Sequence, residues 1–162
     1  MQTKPNETFG YMLPESVSKV ISRFKQADKF LDIGSGYGDL VFQVASETHL
    51  NCTGVEINQN AYARSCSALR QLNRAYASRV ALICDDILKT EYNSEIVYCC
   101  NTAFSLSFQY RLTHWLDKQP SIKQIFTLRP LINSQSYTIK TRFLVSCSWD
   151  NALCYEYWSK QP

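Results

Sequence analysis

At 162 residues the chain has the length of one domain, enough to bury roughly two thirds of the surface its unfolded form exposes. Apolar residues make up 45% and charged residues 19%, which excludes a disordered chain, and no apolar run reaches the roughly 18 to 20 residues that a bilayer span requires. The net charge of +3 is too small to imply nucleic-acid binding by itself.

The N-terminal stretch MQTKPNETFGYMLPES has no basic flank followed by an apolar segment, so no signal peptide is expected. Leu13-Pro-Glu-Ser then starts a helix, predicted over about 14–25. Pro14 suits the first turn, Glu15 complements the dipole, and Val17, Val20, Ile21 and Phe24 recur on one face. KFLDI (29–33) reads as a short buried strand. A glycine turn follows and opens a helix through Leu40, Val41, Val44 and Ala45.

CTGVEI (52–57) is the second strand, and Asn58 can cap a long helix running to about Tyr76. VALIC (80–84), EIVYCC (95–100) and IKQIFTL (122–128) read as further strands, with a helix from Ser105 to about Lys118 before the last of them. The final segments, YTIKTRFLVSCSW and ALCYEYW, alternate like a paired antiparallel hairpin over about 137–158, with Asp150-Asn151 as its tight turn. The expected fold is a single α/β domain over 1–162: an open, mainly parallel Rossmann-like sheet ending in an antiparallel hairpin.

Seven cysteines, an odd number without any C-x-x-C pair, read as reduced core residues of a cytoplasmic protein. His49 and His114 have no closely spaced Cys or His partners, so no metal site is expected. Arg64, Arg70 and Arg74 read as the solvated face of the long helix.

The chemistry is concentrated in LDIGSGYGDL (31–40). Gly34, Gly36 and Gly38 spell G-x-G-x-G, and Asp39 stands where a dinucleotide-binding fingerprint would place its third glycine. No Gly-Lys-Ser/Thr follows, which excludes a P-loop. In an open α/β sheet the ligand lies outside the carboxyl ends of the strands.

Three strand ends then supply the contacts. Asp32 can accept from an ammonium group, beside Gly34, Ser35 and Gly36. Glu56, 24 positions later and followed by Ile57, can take both hydroxyls of a ribose. Asp86 can accept from an adenine amino group, with Ile87 against the ring. An ammonium, a ribose and an adenine without phosphate describe S-adenosylmethionine, so a methyltransferase is expected. After the fourth strand, Cys99-Cys100-Asn101-Thr102-Ala103-Phe104 lacks the Pro-Pro-aromatic signature of enzymes that methylate base amines, and no Pro-Cys nucleophile is present.

The stretches TFGYMLPESVSKVI, KFLDIGSGYGDLVFQVA, GVEI and CNTAF together resemble the class I, non-SET, telomeric-silencing-type histone lysine methyltransferases. The compact size and the LPESVSKVISRF start are also similar to small archaeal protein lysine methyltransferases. The resemblance covers about residues 8 to 130. It implies cofactor contacts at Asp32, Gly34, Gly36, Glu56 and Asp86, and acceptor-pocket roles for Asn101, Phe104 and Tyr11.

The family's Glu after Tyr-Gly is Tyr11 here, the first Asn of its pair is Cys100, and its first Phe is Thr102. Tyr11, Tyr37, Phe104, Trp149 and Tyr155 are candidates for the walls of a lysine channel. The expected partner is a protein with an accessible lysine. A small-molecule or RNA acceptor, and a catalytically weak interaction module of the same fold, are the alternatives.

Overall fold

The computed structural model describes residues 10–161. Its elements in chain order are α1 (Pro14–Ile21), β1 (Lys29–Ile33), α2 (Asp39–Glu47), β2 (Asn51–Val55), α3 (Gln59–Leu69), α4 (Arg74–Ala77) and β3 (Val80–Ile83). A short 3-10 turn (Ile87–Lys89), β4 (Ile96–Cys99), α5 (Leu106–Asp117), β5 (Gln124–Thr127), β6 (Tyr137–Ser146) and β7 (Asn151–Ser159) complete it.

The strands form one seven-stranded sheet in the order β3-β2-β1-β4-β5-β7-β6. The first five pair in parallel, whereas β7 runs antiparallel to both β5 and β6. The expected Rossmann-like sheet with a terminal antiparallel hairpin is what forms. The pattern of the strands did not reveal that the last strand lies inside the one before it.

Period-two alternation divides the core between the two faces of the sheet. Phe30, Ile96, Tyr98, Phe126 and Cys154 pack with Val17, Val20, Val41 and Val44 of α1 and α2. Leu31, Ile33, Val97, Cys99 and Ile125 pack with Leu112, Trp115 and Leu116 of α5. Glu156, 1% exposed on β7, fastens the segment after α1 to the sheet: Arg23 forms an ion pair with it, and Gln124 Nε2 of β5 donates to it at 3.1 Å.

β2 to β5 are one or two residues shorter than the sequence reading at one or both ends, and three differences matter for the architecture. The first helix ends at Ile21 rather than near residue 25, and Phe24, in the turn that follows, still packs against Phe30 and Phe126. The helix expected to reach Tyr76 stops at Leu69. Asn73 caps a separate α4 by accepting from Ala75 N, so its side chain starts a new helix where continuity was expected. The hairpin turn is the four-residue segment Cys147–Asp150, closed by the Ser146–Asn151 pair, with Asn151 already in β7.

All seven cysteines are free, and Cys52, Cys99, Cys147 and Cys154 are buried. Burial pushes the Cys52 and Cys154 thiols up to about 12, which keeps them as packing groups. No helix among the described residues is long and apolar enough to cross a membrane, and no His/Cys/Asp/Glu cluster there could hold a metal.

Candidate active site

A cleft of about 1000 Å³ opens at the carboxyl ends of β1, β2, β3 and β4. Its floor is the glycine turn. Gly34, Gly36 and Gly38 have φ of 74°, 56° and 92°, a region that residues with a Cβ rarely adopt. At Gly38 a Cβ would also come within 2.5 Å of the Phe42 ring, so a side chain here would add displacement of that ring to the strained backbone.

The turn is fixed before any ligand arrives. Gly34 N and Ser35 N both donate to Val55 O, at 2.8 and 3.0 Å, and Gly36 N donates to Glu56 Oε1 at 2.8 Å. Gly54 makes room for this, since a Cβ there would press on Ser35 at 2.9 Å.

Of the residues expected to hold a cofactor, Asp32, Gly34, Ser35, Gly36, Glu56, Ile57, Asp86 and Ile87 all line the cleft. Asp32 is 2% exposed and its Oδ1 has no hydrogen-bond partner. Burial, and second the neighbouring Glu56 carboxylate, push its carboxyl up to about 8. A buried carboxyl with one oxygen unpartnered, beside a cleft, is the arrangement that a cationic group of a ligand would complete.

Glu56, 5% exposed, accepts from Gly36 N and, through Oε2, from Asn58 N at 2.9 Å. Each carboxylate oxygen therefore keeps a lone pair for a hydroxyl. Asp86 Oδ1 caps the 3-10 turn through Leu88 N, while Asp85 is tied to its own loop by Asp86 N and Thr90 Oγ1. Ile87 is buried and Ile57 is 67% exposed, an apolar surface that a bound ring would cover. The donor set thus fits the ammonium, ribose and adenine of S-adenosylmethionine, and nothing in the turn is arranged for a pyrophosphate.

The acceptor end is different. Tyr11, Tyr37, Phe104 and Trp149 line the cleft, and Phe108 joins them with its ring edge-on to Phe104, centroids 4.7 Å apart. Phe104 lies against the glycine turn, close enough that a Cβ on Gly34 would touch it. Tyr155 does not line the cleft. The alternation of β7 puts it on the α5 face of the sheet, beside Tyr157.

Asn101 does not line the cleft either. It is fully buried, and the protein takes up its whole hydrogen-bonding capacity. Nδ2 donates to Gln109 Oε1 and Arg129 O, and Oδ1 accepts from Leu128 N and Arg129 N. This geometry makes Asn101 the fastener between the β4–α5 junction and the end of β5, with no atom left to orient an amine. Ser105, rather than Asn101, caps α5.

Sequence reasoning missed Met12, Tyr98, Phe108 and Asp85 as lining residues. Only Asp85, next to Asp86 at a strand end, carried a local signal.

Over residues 2–147 the chain matches the family described as Histone methylation protein DOT1. It belongs to that family. No curated protein matches it in sequence. Among solved structures it is similar to a putative tRNA (m1A22) methyltransferase of Streptococcus pneumoniae, at 11% identity and a TM-score of 0.72, covering 93% of this chain and 72% of that one. It is similar to TrmK of M. capricolum, solved with S-adenosylhomocysteine, at 14% identity and 0.70, covering 93% and 70%. It is also similar to the magnesium protoporphyrin IX methyltransferase of Synechocystis PCC 6803, solved with bound S-adenosylmethionine, at 12% identity and 0.73, covering 91% and 79%. At these identities the likeness is one of fold.

Proposed function

We propose that this DOT1-family protein transfers a methyl group from S-adenosylmethionine to the side-chain amine of a lysine in a protein. Family membership and the unpartnered Asp32 beside the glycine turn support the donor. The walls of the cleft support the acceptor. Tyr11, Phe104, Phe108 and Trp149 line its acceptor end, and no lysine, arginine or histidine among the described residues lines the cleft to hold a phosphate backbone.

The bound cofactor supplies a methyl group on a sulfonium, ready for in-line attack. The protein's own residues do the rest. Asp32 and Glu56 would hold the two ends of the donor, with Gly34 and Gly36 presenting backbone free of side chains beside it. Phe104, Phe108, Tyr11 and Trp149 wall the acceptor end. A lysine amine attacks only when neutral, and its ordinary pKa is about 10.4. Aromatic walls disfavour the ammonium form and lower that value, so the proton is released to water at the mouth without a dedicated base.

The test is to incubate the protein with methyl-labelled cofactor and a whole lysate, then digest with protease or ribonuclease. Label released by protease and recovered as methyl-lysine is expected. Label that resists protease and disappears with ribonuclease would assign the acceptor to RNA and end the lysine reading.

A further inference from the structure

α5 starts at the cleft and leads away from it. Ser105 and Phe108 line the mouth, and Leu106, 62% exposed, and Tyr110, 49% exposed, follow on the outer surface. Beyond them lies a second groove of about 500 Å³, lined by Leu88, Tyr110, Arg111, His114, Trp115 and Lys118. Arg111, His114 and Lys118 stand at helical spacings of three and four residues, so they share one face. No carboxylate among the described residues lines this groove. The only acidic residue of α5, Asp117, is turned to the β5–β6 connection, where it accepts from Ser134 Oγ at 2.6 Å and from the backbone of Gln135 and Ser136. The groove floor is firm, because Trp115 Nε1 donates to Thr90 O at 3.0 Å.

Two surfaces of opposite sign therefore adjoin along one helix: a carboxylate-lined cleft and a cationic, partly aromatic groove. We infer that the groove on α5 docks an acidic segment of the same polypeptide that presents its lysine to the cleft. At about 1.5 Å of rise per residue, Arg111 stands roughly 9 Å and Lys118 roughly 20 Å along the helix from Ser105. An extended peptide advances about 3.3 Å per residue. The acidic residues are therefore placed about three to six positions from the acceptor lysine. Charge complementarity and continuity with the cleft select this occupant. A nucleic acid would suit the groove but would meet the carboxylates of the cleft at its upper end.

The inference rests on the lysine reading for what enters the cleft, and the experiment separates the two. Fluorescein-labelled peptides carry one lysine with an Asp/Glu run about three to six residues to either side, matched by peptides with Asn/Gln in place of the run. Anisotropy with the full chain and S-adenosylhomocysteine reads binding, and mass spectrometry with S-adenosylmethionine reads methylation. The acidic peptides are expected to bind at least about tenfold more tightly than the neutral ones, with an affinity that falls as salt rises. The Arg111→Glu/Lys118→Glu double variant should lose that preference while its calorimetric affinity for S-adenosylhomocysteine stays unchanged. The milder Arg111→Gln should lose part of it.

Equal binding of acidic and neutral peptides, or a preference that survives the double variant, overturns the inference. So does a single-stranded RNA of matched charge that binds more tightly than either peptide. Acidic peptides that bind through these residues without methylation of any lysine would leave the groove standing and remove the lysine reading instead.

Discussion

The two ends of the cleft are built by different means. The donor end is made of strand termini and backbone, with Gly34, Ser35 and Gly36 tied to Val55 and Glu56 by hydrogen bonds of 2.8 to 3.0 Å. The acceptor end is made of aromatic side chains from separate segments: Tyr11 before α1, Phe104 and Phe108 around the start of α5, and Trp149 in the β6–β7 turn. Two of these, Tyr11 and Trp149, are nearly half exposed. Their segments are joined by the Met12–Cys147 bridge and by Ser148 N donating to Tyr11 O at 2.8 Å. The donor site is held by adjacent parallel strands and their backbone hydrogen bonds, whereas the acceptor site depends on side chains from segments that are not neighbouring strands.

The strongest blow to the acceptor end should come from Asn101→Ala, which removes a buried side chain with four hydrogen bonds to the protein. It leaves Leu128 N, Arg129 N and Gln109 Oε1 short of partners. A loss of about 3 kcal/mol is expected in urea unfolding. A loss below about 1 kcal/mol would mean that the β4–α5 junction does not depend on this fastener.

At the donor end, Glu56→Gln should weaken cofactor binding by about 1–3 kcal/mol in calorimetry, through the lost charge-assisted hydrogen bonds to the ribose. Unchanged affinity would move the ribose elsewhere.

Asp32 tests the donor end from the side of stability. With its carboxyl raised to about 8, the folded protein keeps a proton that the unfolded chain gives up near 4. Stability of the ligand-free protein therefore falls as pH rises from about 4 to about 8, and Asp32→Asn should remove that slope. At pH 8 the variant should be more stable by at least about 1 kcal/mol while binding the cofactor more weakly. Urea melts across pH, beside calorimetry, check both halves of this trade. Parallel pH profiles for the two proteins would show that Asp32 is not the strained group.

The smallest effect belongs to Trp149→Ala. It should raise the KM for a lysine peptide several-fold, about 0.5–1 kcal/mol for roughly 20–40 Å² of lost apolar contact with the lysine chain, with no change in cofactor affinity. A change in cofactor affinity instead would place the indole at the wrong end.

The same division explains what was legible in the sequence. The position of Asp32, Gly34, Gly36, Glu56 and Asp86 along the cleft was legible because each belongs to a strand end or its following turn, where local spacing fixes position. The break at residues 70–73 was foreshadowed by Asn73, whose capping side chain was absorbed into a helix drawn too long. Asn101 was misread because its meaning lies in Gln109, Leu128 and Arg129, contacts that span up to 28 positions. Tyr155 was set on the wrong side of the sheet by a hairpin whose partner strand could not be inferred. Phe143 and Cys154 sit opposite one another in the hairpin, but no short-range pattern shows that Ile125 pairs with Tyr157.

That inverted order of the last two strands bears on how the protein is made. A ribosome delivers β6 before β7, yet β7 occupies the slot beside β5. Until residues up to Ser159 have emerged, the edge of β5 that carries Ile125 and Phe126 lacks the strand that covers it in the folded protein. Synthesis thus leaves a window in which that edge is open, and the arrival of β7 closes it.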